Sequence, residues 1–422
     1  MDVGERFGRT WLVGLVVPLA LAARALPGAP PGDWPQFGGP RRDNKSTETG
    51  LLTRWPVGGP KRLWVAEGIG EGFSTVAVAA GRAFVTGNLR GKTVITALAL
   101  DGATKWRVPN GPACRHDHPG ARGTPTVRDG RLYHENADGD VVCLDAAGGK
   151  EIWSLNILRR FRGRNIRWGL SESLLLDGNH VICTPGGEDA GIVALDQATG
   201  KTAWVCRETH QKPGYCSPIV FDYGGVRQIA TLMARSAVGI DARTGRLLWQ
   251  VPHLAKFDEN ISMGIYHDGA LLFSTRTSGT VLLKLKVVDG KIGVDVAWRA
   301  REVDNHHGGL VLLDGHVYGD CIRDPRGHWA CLDWATGRRT LATDLIGCGS
   351  LTYADGLFYV MNHRRRVALV RPSPAALEVV SRFDLPNVGR GPSWAHPVVC
   401  GGRLYLRYSD RLYCYDIRRP AE

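Results

Sequence analysis

The segment VALDQATGKTAW (193–204) decides how the whole chain is read, because it returns. VVCLDAAGGKEIW occupies 141–153, AVGIDARTGRLLW occupies 237–249, and a worn copy, HWACLDWATGRRTL, fills 328–341. The chemistry of each copy is local. An Asp carboxylate can accept the backbone N–H groups of the turn it opens, and Gly supplies the positive φ that a tight hairpin needs. Lys or Arg then keeps the edge of the outgoing strand soluble, and the Trp packs. Asp145, Asp196 and Asp241 each stand eight residues before a Trp, and Asp333 opens the worn copy. These four read as turn caps and not as catalytic carboxylates. A contracted copy runs from Asp101 to Trp106, the fifth unit keeps only Trp298, and the seventh has neither residue.

A second landmark fixes the number of units. A small turn, usually Asp-Gly, is followed three residues on by a strand residue that is apolar or aromatic in all copies but one. Its glycine recurs at Gly81, Gly130, Gly178, Gly225, Gly269, Gly315, Gly356 and Gly402. This near-constant period of roughly 46 residues is the mark of radial repetition. Each unit holds three or four short β-type runs, which make one antiparallel sheet of about four strands. Such a sheet cannot bury both faces alone, and eight stacked around an axis can. The expected fold is all-β: an eight-bladed β-propeller of four-stranded antiparallel blades. Trp64, Trp106, Trp153, Trp204, Trp249 and Trp298 are then structural wedges between blades. The eighth unit stops at 413–416 without its terminal Trp strand, while KRLWVAEG (61–68) carries an unassigned Trp64. This N-terminal strand is expected to close the ring and remove the open edge.

Composition agrees and narrows the function classes. The 422 residues include 54 Gly and 23 Pro, so turns are frequent and long helices are excluded. At 43% hydrophobic and 22% charged residues, the chain buries a large core and is no low-complexity scaffold. The net charge of +12 comes mostly from Arg scattered along the whole length, which speaks for solvated surface and against a nucleic-acid footprint. Arg6 and Arg9 precede an apolar run from Trp11 to Ala23, then small residues and prolines. That pattern is a Sec-type signal peptide over 1–30, the alternative being an uncleaved N-terminal anchor. Nothing later reaches the length of a spanning helix. The domain reading is 1–30 signal peptide or anchor, 31–60 lead-in segment and 61–422 propeller. The mature protein is expected to be periplasmic or secreted, without a transmembrane domain, and monomeric.

Export makes the ten cysteines potential disulfide formers. Cys143, Cys331 and Cys414 take the place of Ala in VALD and read as buried strand residues. Cys321 and Cys331 flank the turn 323–327, and a hairpin centred on residue 326 would set them opposite each other as a candidate bridge. Cys206 and Cys216, across a between-blade loop, are a second candidate.

In a propeller the loops approaching each innermost strand form a funnel. Those loops bring Arg122, Trp168, Glu172, Tyr215, Asn260, His306, His307, Trp394 and His396 to one mouth. Polar and aromatic groups converging on a concave site make these the ligand-binding candidates. Outside the funnel, His116, Asp117 and His118 lack the second spaced pair of a zinc site. NADGD (136–140) falls at a hairpin turn and lacks the rest of a calcium loop. Arg159, Arg160, Arg162, Arg164 and Arg167 form the densest positive patch, read as a solvated loop with an acidic surface or cell-wall polyanion as the alternative. No metal site and no Walker, GxSxG or HExxH motif is read.

The ALDxxTGKxxW repeat resembles the tryptophan-docking repeat of the pyrroloquinoline quinone (PQQ)-like β-propellers. Those include quinoprotein alcohol dehydrogenases and the β-propeller lipoprotein of the outer-membrane assembly machinery. DWPQFGGPRRDNKS (33–46), GLLTRWP (50–56) and GPKRLW (59–64) look like an exported branch common in planctomycete-type bacteria. The resemblance covers nearly all of 33–422. It implies the fold and leaves activity open, since many such propellers bind no quinone. In the dehydrogenases it implies an Asp base beside a calcium-bound quinone held by Glu and Asn. Many also have an adjacent Cys-Cys pair, and some a CxxCH haem motif. This chain has neither cysteine motif and lacks long insertions; Glu172, Asn260 and Arg122 are the residues that could be conscripted as ligands. The expectation is therefore a non-catalytic exported propeller without cofactor. Its funnel would bind an envelope protein or a small ligand. The alternative is a PQQ-dependent alcohol or sugar dehydrogenase using PQQ and calcium. A third reading is a glycan-binding propeller with Trp168 and Trp394 as stacking platforms.

Overall fold

The structure, a computed structural model, describes Met1 and residues 32–322, 328–344 and 346–420. The expected signal peptide or anchor lies, apart from Met1, outside the described residues, as does the turn 323–327. The rest forms eight four-stranded sheets, each antiparallel and each in up-and-down order. Blades 1 to 7 occupy 77–112, 126–156, 175–206, 219–252, 265–300, 310–343 and 349–384, and blade 8 occupies 398–416 together with Arg62–Ala66. The expected eight-bladed ring is the observed one. No helix among the described residues is long and apolar enough to cross a membrane.

Strand chemistry follows position in the blade. The third strand of blade 3, Ile192–Asp196, is sandwiched between neighbouring blades and is apolar on both faces until its Asp. Its partner at the rim, Thr202–Cys206, is exposed at Thr202 and Ala203 and buries Trp204 and Cys206. The buried apolar residues accordingly divide into eight clusters, one per seam between adjacent blades, among the described residues. None of these clusters is a central core. The molecule is held together at its seams.

The repeat turns behave as their sequence requires. Asp196 Oδ1 accepts from Thr199 N (2.9 Å) and from the Thr199 hydroxyl (2.6 Å), and Asp333 repeats this with Thr336. The threonine hydroxyl holds both carboxyls below the usual range. Asp241 caps Arg243 N and Thr244 N, and Asp145 caps Gly148 N. Each turn is also a receptor for the blade before it. The indole Nε1 of Trp204 donates to Ala242 O of the next blade at 3.0 Å, Trp153 to Gln197 O at 3.0 Å, and Trp298 to Trp334 O at 2.9 Å. Trp106 and Trp64 donate to Ala146 O and Leu100 O in the same way. The turn glycine leaves room for the ring: a Cβ on Gly200 would lie 2.9 Å from Trp153.

Trp249 breaks the series. It lies in the seam between blades 4 and 5, but its Nε1 donates within its own blade, to Gln228 Oε1 at 3.0 Å. The reason is that blade 5 has no receptor turn, because its Gly279–Val288 and Lys291–Ala300 strands run on as ten-residue partners to a hairpin at Gly290.

Closure and cysteines complete the comparison with expectation. Arg62–Ala66 pairs with Arg411–Asp416, setting Trp64 opposite Cys414, so the N-terminal strand closes the last blade. Cys143, Cys331 and Cys414 are fully buried strand residues. The Cys321–Cys331 bridge is corrected. Register sets Cys321 opposite His328 and Cys331 opposite Tyr318, and Cys321 Sγ lies 2.6 Å from Asp304 Oδ1. Cys206 and Cys216 are likewise not bridged.

The segment expected only to lead in does more. Residues 33–46 cross one end of the axial channel and bond to the inner edge of blade after blade. Trp34 exchanges backbone hydrogen bonds with Val78 of blade 1, and Pro35 O accepts from Val127 of blade 2. Arg42 donates to Ser173 O and Leu174 O beside blade 3, and Asn44 Nδ2 to Leu310 O of blade 6. Asn44 O accepts from Tyr353 of blade 7. Gly39, at φ +82°, passes so close to Trp34 that a Cβ would lie 2.9 Å from its ring. This segment is a plug.

Candidate functional site

The plug turns the channel into a cup, with Phe37 at the cavity wall against His396 (ring centroids 4.9 Å apart). The cavity above it measures about 450 Å³. Of the nine funnel candidates, Arg122, Trp168, Tyr215, His306, His307, Trp394 and His396 line it. Glu172 and Asn260 do not, and their misplacement has one cause. In an extended approach segment alternate side chains face opposite ways. Ser171 and Ser173 face the cavity, so Glu172 points behind the wall, where its carboxylate accepts from Thr184 N (2.6 Å) and Thr184 Oγ1 (2.9 Å). Glu259 and Ile261 face the cavity, so Asn260 is buried, donating to Met233 O at 2.6 Å and Ala234 O at 3.0 Å. Burial pushes the Glu172 carboxyl up, and that of its neighbour Glu135 further.

The cavity also holds residues that reading the approach loops missed. Arg276 and His363 come from hairpins between the second and third strands of blades 5 and 7, which rise at the same end of the ring. Phe37 comes from the plug. His118, expected outside the funnel, lines the cavity and packs edge-on against Trp394 at 5.0 Å.

Aromatic stacking sets the wall. His307 lies flat on Trp394 (4.0 Å, 13°), and Phe73 tilts against the same indole at 4.7 Å. His396 Nε2 meets His307 O at 2.8 Å. Burial pulls His363 and His396 down to about 4, and pulls His307 far below its ordinary value with help from its cationic and imidazole neighbours. His306 is also lowered by burial, although its Nε2 lies 3.5 Å from Glu259 Oε2. Burial thus holds His306, His307, His363 and His396 toward the neutral form. Burial raises Glu259, but His306 and Arg276 outweigh it and leave the carboxyl below its usual range. Arg276 Nη1 stands 3.5 Å from Glu259 Oε2. Arg122 hangs from the carbonyls of Asp117 and His118 by Nη2, at 3.0 and 2.9 Å, and no carboxylate among the described residues forms an ion pair with it.

The residues named for a quinone and its calcium do not assemble. Glu172 is committed to Thr184, Asn260 to backbone carbonyls, and Arg122 alone of the three reaches the cavity. Among the described residues no three His, Cys, Asp or Glu side chains are placed to hold a metal ion. His116 lies 3.7 Å from Asp138, and the 136–140 turn is closed by Asn136 Oδ1 accepting from Asp138 N and Asp140 N. In the arginine patch Arg159, Arg162 and Arg167 are exposed and each near one Asp, and Arg167 lies over the Trp168 ring at 4.9 Å.

Ring, plug and cup define a PQQ-like β-propeller built around one axial pocket. Residues 90–343 match the family described as outer membrane protein assembly factor BamB, and the chain belongs to that family. The BamB of Moranella endobia (strain PCIT) is 24% identical over 262 residues, covering 58% of this chain and 63% of that protein. Quinoprotein alcohol dehydrogenase PedH of Pseudomonas putida is 27% identical over 143 residues, 32% of this chain and 23% of PedH. The chain thus spans less than two thirds of the length of these curated relatives. Among solved structures, BamB from Moraxella catarrhalis superposes with a TM-score of 0.60 at 13% identity, over 86% of this chain and 98% of that one. Quinohemoprotein alcohol dehydrogenase from Comamonas testosteroni gives 0.64 at 13% identity, over 93% and 81%. Identities this low speak for the fold alone.

Proposed function

We propose that this protein is a non-catalytic, exported binding module of the cell envelope that captures a ligand or partner in its plugged axial cup. The carrying observation is the convergence of Arg122, Trp168, Tyr215, His306, His307 and Trp394 on one blind cavity. Family membership supports the interaction role, and the relatives named as outer-membrane assembly factors support a periplasmic setting. The test is capture from a solubilised envelope fraction by wild type and by Arg122→Ala/Trp394→Ala. The double variant should lose capture while keeping a cooperative melt. Capture that survives places the binding surface elsewhere.

The PQQ-dependent dehydrogenase is a second reading, favoured by the PedH match. Incubation with PQQ and calcium tests it directly. Quinone absorbance with dye-linked alcohol oxidation would replace the binding-module reading.

A further inference from the structure

We propose that the cup binds a small aromatic acid carrying a single negative charge, with its carboxylate on Arg122. The inference deepens the ligand-binding reading above and rests on it. Three observations lead to it. First, the plug gives the channel a floor, so the roughly 450 Å³ cavity suits one small molecule and not a chain threaded through the ring. Second, the lining is rich in flat rings, Phe37, Phe73, Trp168, Tyr215 and Trp394, which favour a planar body.

Third, the charges inside do not cancel. Arg276 is matched by Glu259, and burial pulls His306, His307, His363 and His396 toward the neutral form. Arg122 is left as the unmatched lining cation among the described residues. Its Nη2 serves two carbonyls, and its Nη1 has no acceptor among them. A guanidinium in a poorly hydrated cup attracts one carboxylate strongly, because its fork matches two oxygens. A second ligand charge would find no partner, since a buried charge without a counter-ion is costly.

Isothermal titration of the full chain at pH 7 with three probes of one shape separates charge from shape. The probes are 4-hydroxyphenylacetate, its neutral amide and tyramine. The acid should bind tightest and the amide about tenfold to a hundredfold weaker, the range of a charged hydrogen bond, with tyramine weakest. Arg122→Gln should shrink the acid-over-amide preference to within about threefold, and Arg122→Lys should leave an intermediate preference. The lysine variant keeps the test open should the glutamine variant not fold. Equal binding of acid and amide by wild type, an undiminished preference in both variants, or no binding by any probe overturns the proposal. If acid and amide bind equally and Trp394→Ala abolishes both, the funnel reading stands and only the charge assignment falls. If no probe binds and envelope capture is indifferent to the Arg122→Ala/Trp394→Ala change, the funnel reading fails as well.

Discussion

The outer and inner rings of this propeller are built on opposite principles. At the rim one contact is made five times: an indole donates to the backbone of the next blade's turn over a glycine. Around the axis the approach loops carry different large side chains at the mouth, among them Arg122, Trp168, Tyr215, Glu259, His306 and Trp394. Repetition serves cohesion, since any blade must fit any other. Variety at the axis is what a specific ligand requires.

The sharpest way to break this comparison is at the rim. Trp204→Ala should cost about 3–5 kcal/mol in denaturant unfolding, the range for a large buried aromatic. Trp204→Phe and Trp249→Phe should then separate the two seams. The first leaves a backbone carbonyl at a turn; the second strips the indole donor from the fully buried Gln228, whose Nε2 already lacks a partner. Trp249→Phe should be the costlier by about 1–2 kcal/mol, and equal costs would mean that the receptor turn does not matter.

The axis is broken by acid. His396 is 5% exposed and titrates at about 4 when folded. Between its ordinary value and 4 the unfolded chain binds a proton that the folded chain does not. Stability should therefore fall as pH drops through that window, by up to about 3 kcal/mol for this group. His396→Gln should flatten that part of the profile; an unchanged slope would assign the acid sensitivity to other buried histidines. The smallest effect sharpens the rim again. Gly245 sits at φ +76° with a Cβ position 2.5 Å from Trp204, whereas Gly290 has φ +71° and nothing within 4 Å. Gly290→Ala should cost about 1 kcal/mol of backbone strain, and Gly245→Ala about 1–2 more from displacing the indole.

What was legible in the sequence follows the same division. The period of turns gave the blade count, the caps at Asp145, Asp196, Asp241 and Asp333, and the closing role of Trp64, because each is one instance of a repeated local rule. In the sequence Trp249 is one more wedge, and only the missing turn of blade 5 hints at its different bond. At the axis, loop position identified seven lining residues, but Glu172 and Asn260 were one residue out of phase with their cavity-facing neighbours. The plug was illegible as such. Its partners Val78, Leu310 and Tyr353 are remote and occur once, and no local pattern announces a segment bonded across a ring.

The plug and the closing strand also order the events of folding. Both lie before residue 67, yet Trp64 pairs opposite Cys414. The strand at Arg62–Ala66 must wait for its partner at Arg411–Asp416, made about 350 residues later. Closing a loop of about 350 residues costs about 5 kcal/mol in chain entropy, recovered only when the eighth blade arrives. Until then the nascent ring presents an unpaired sheet edge and an open channel. The cup is thus complete only once the ring that surrounds it has closed.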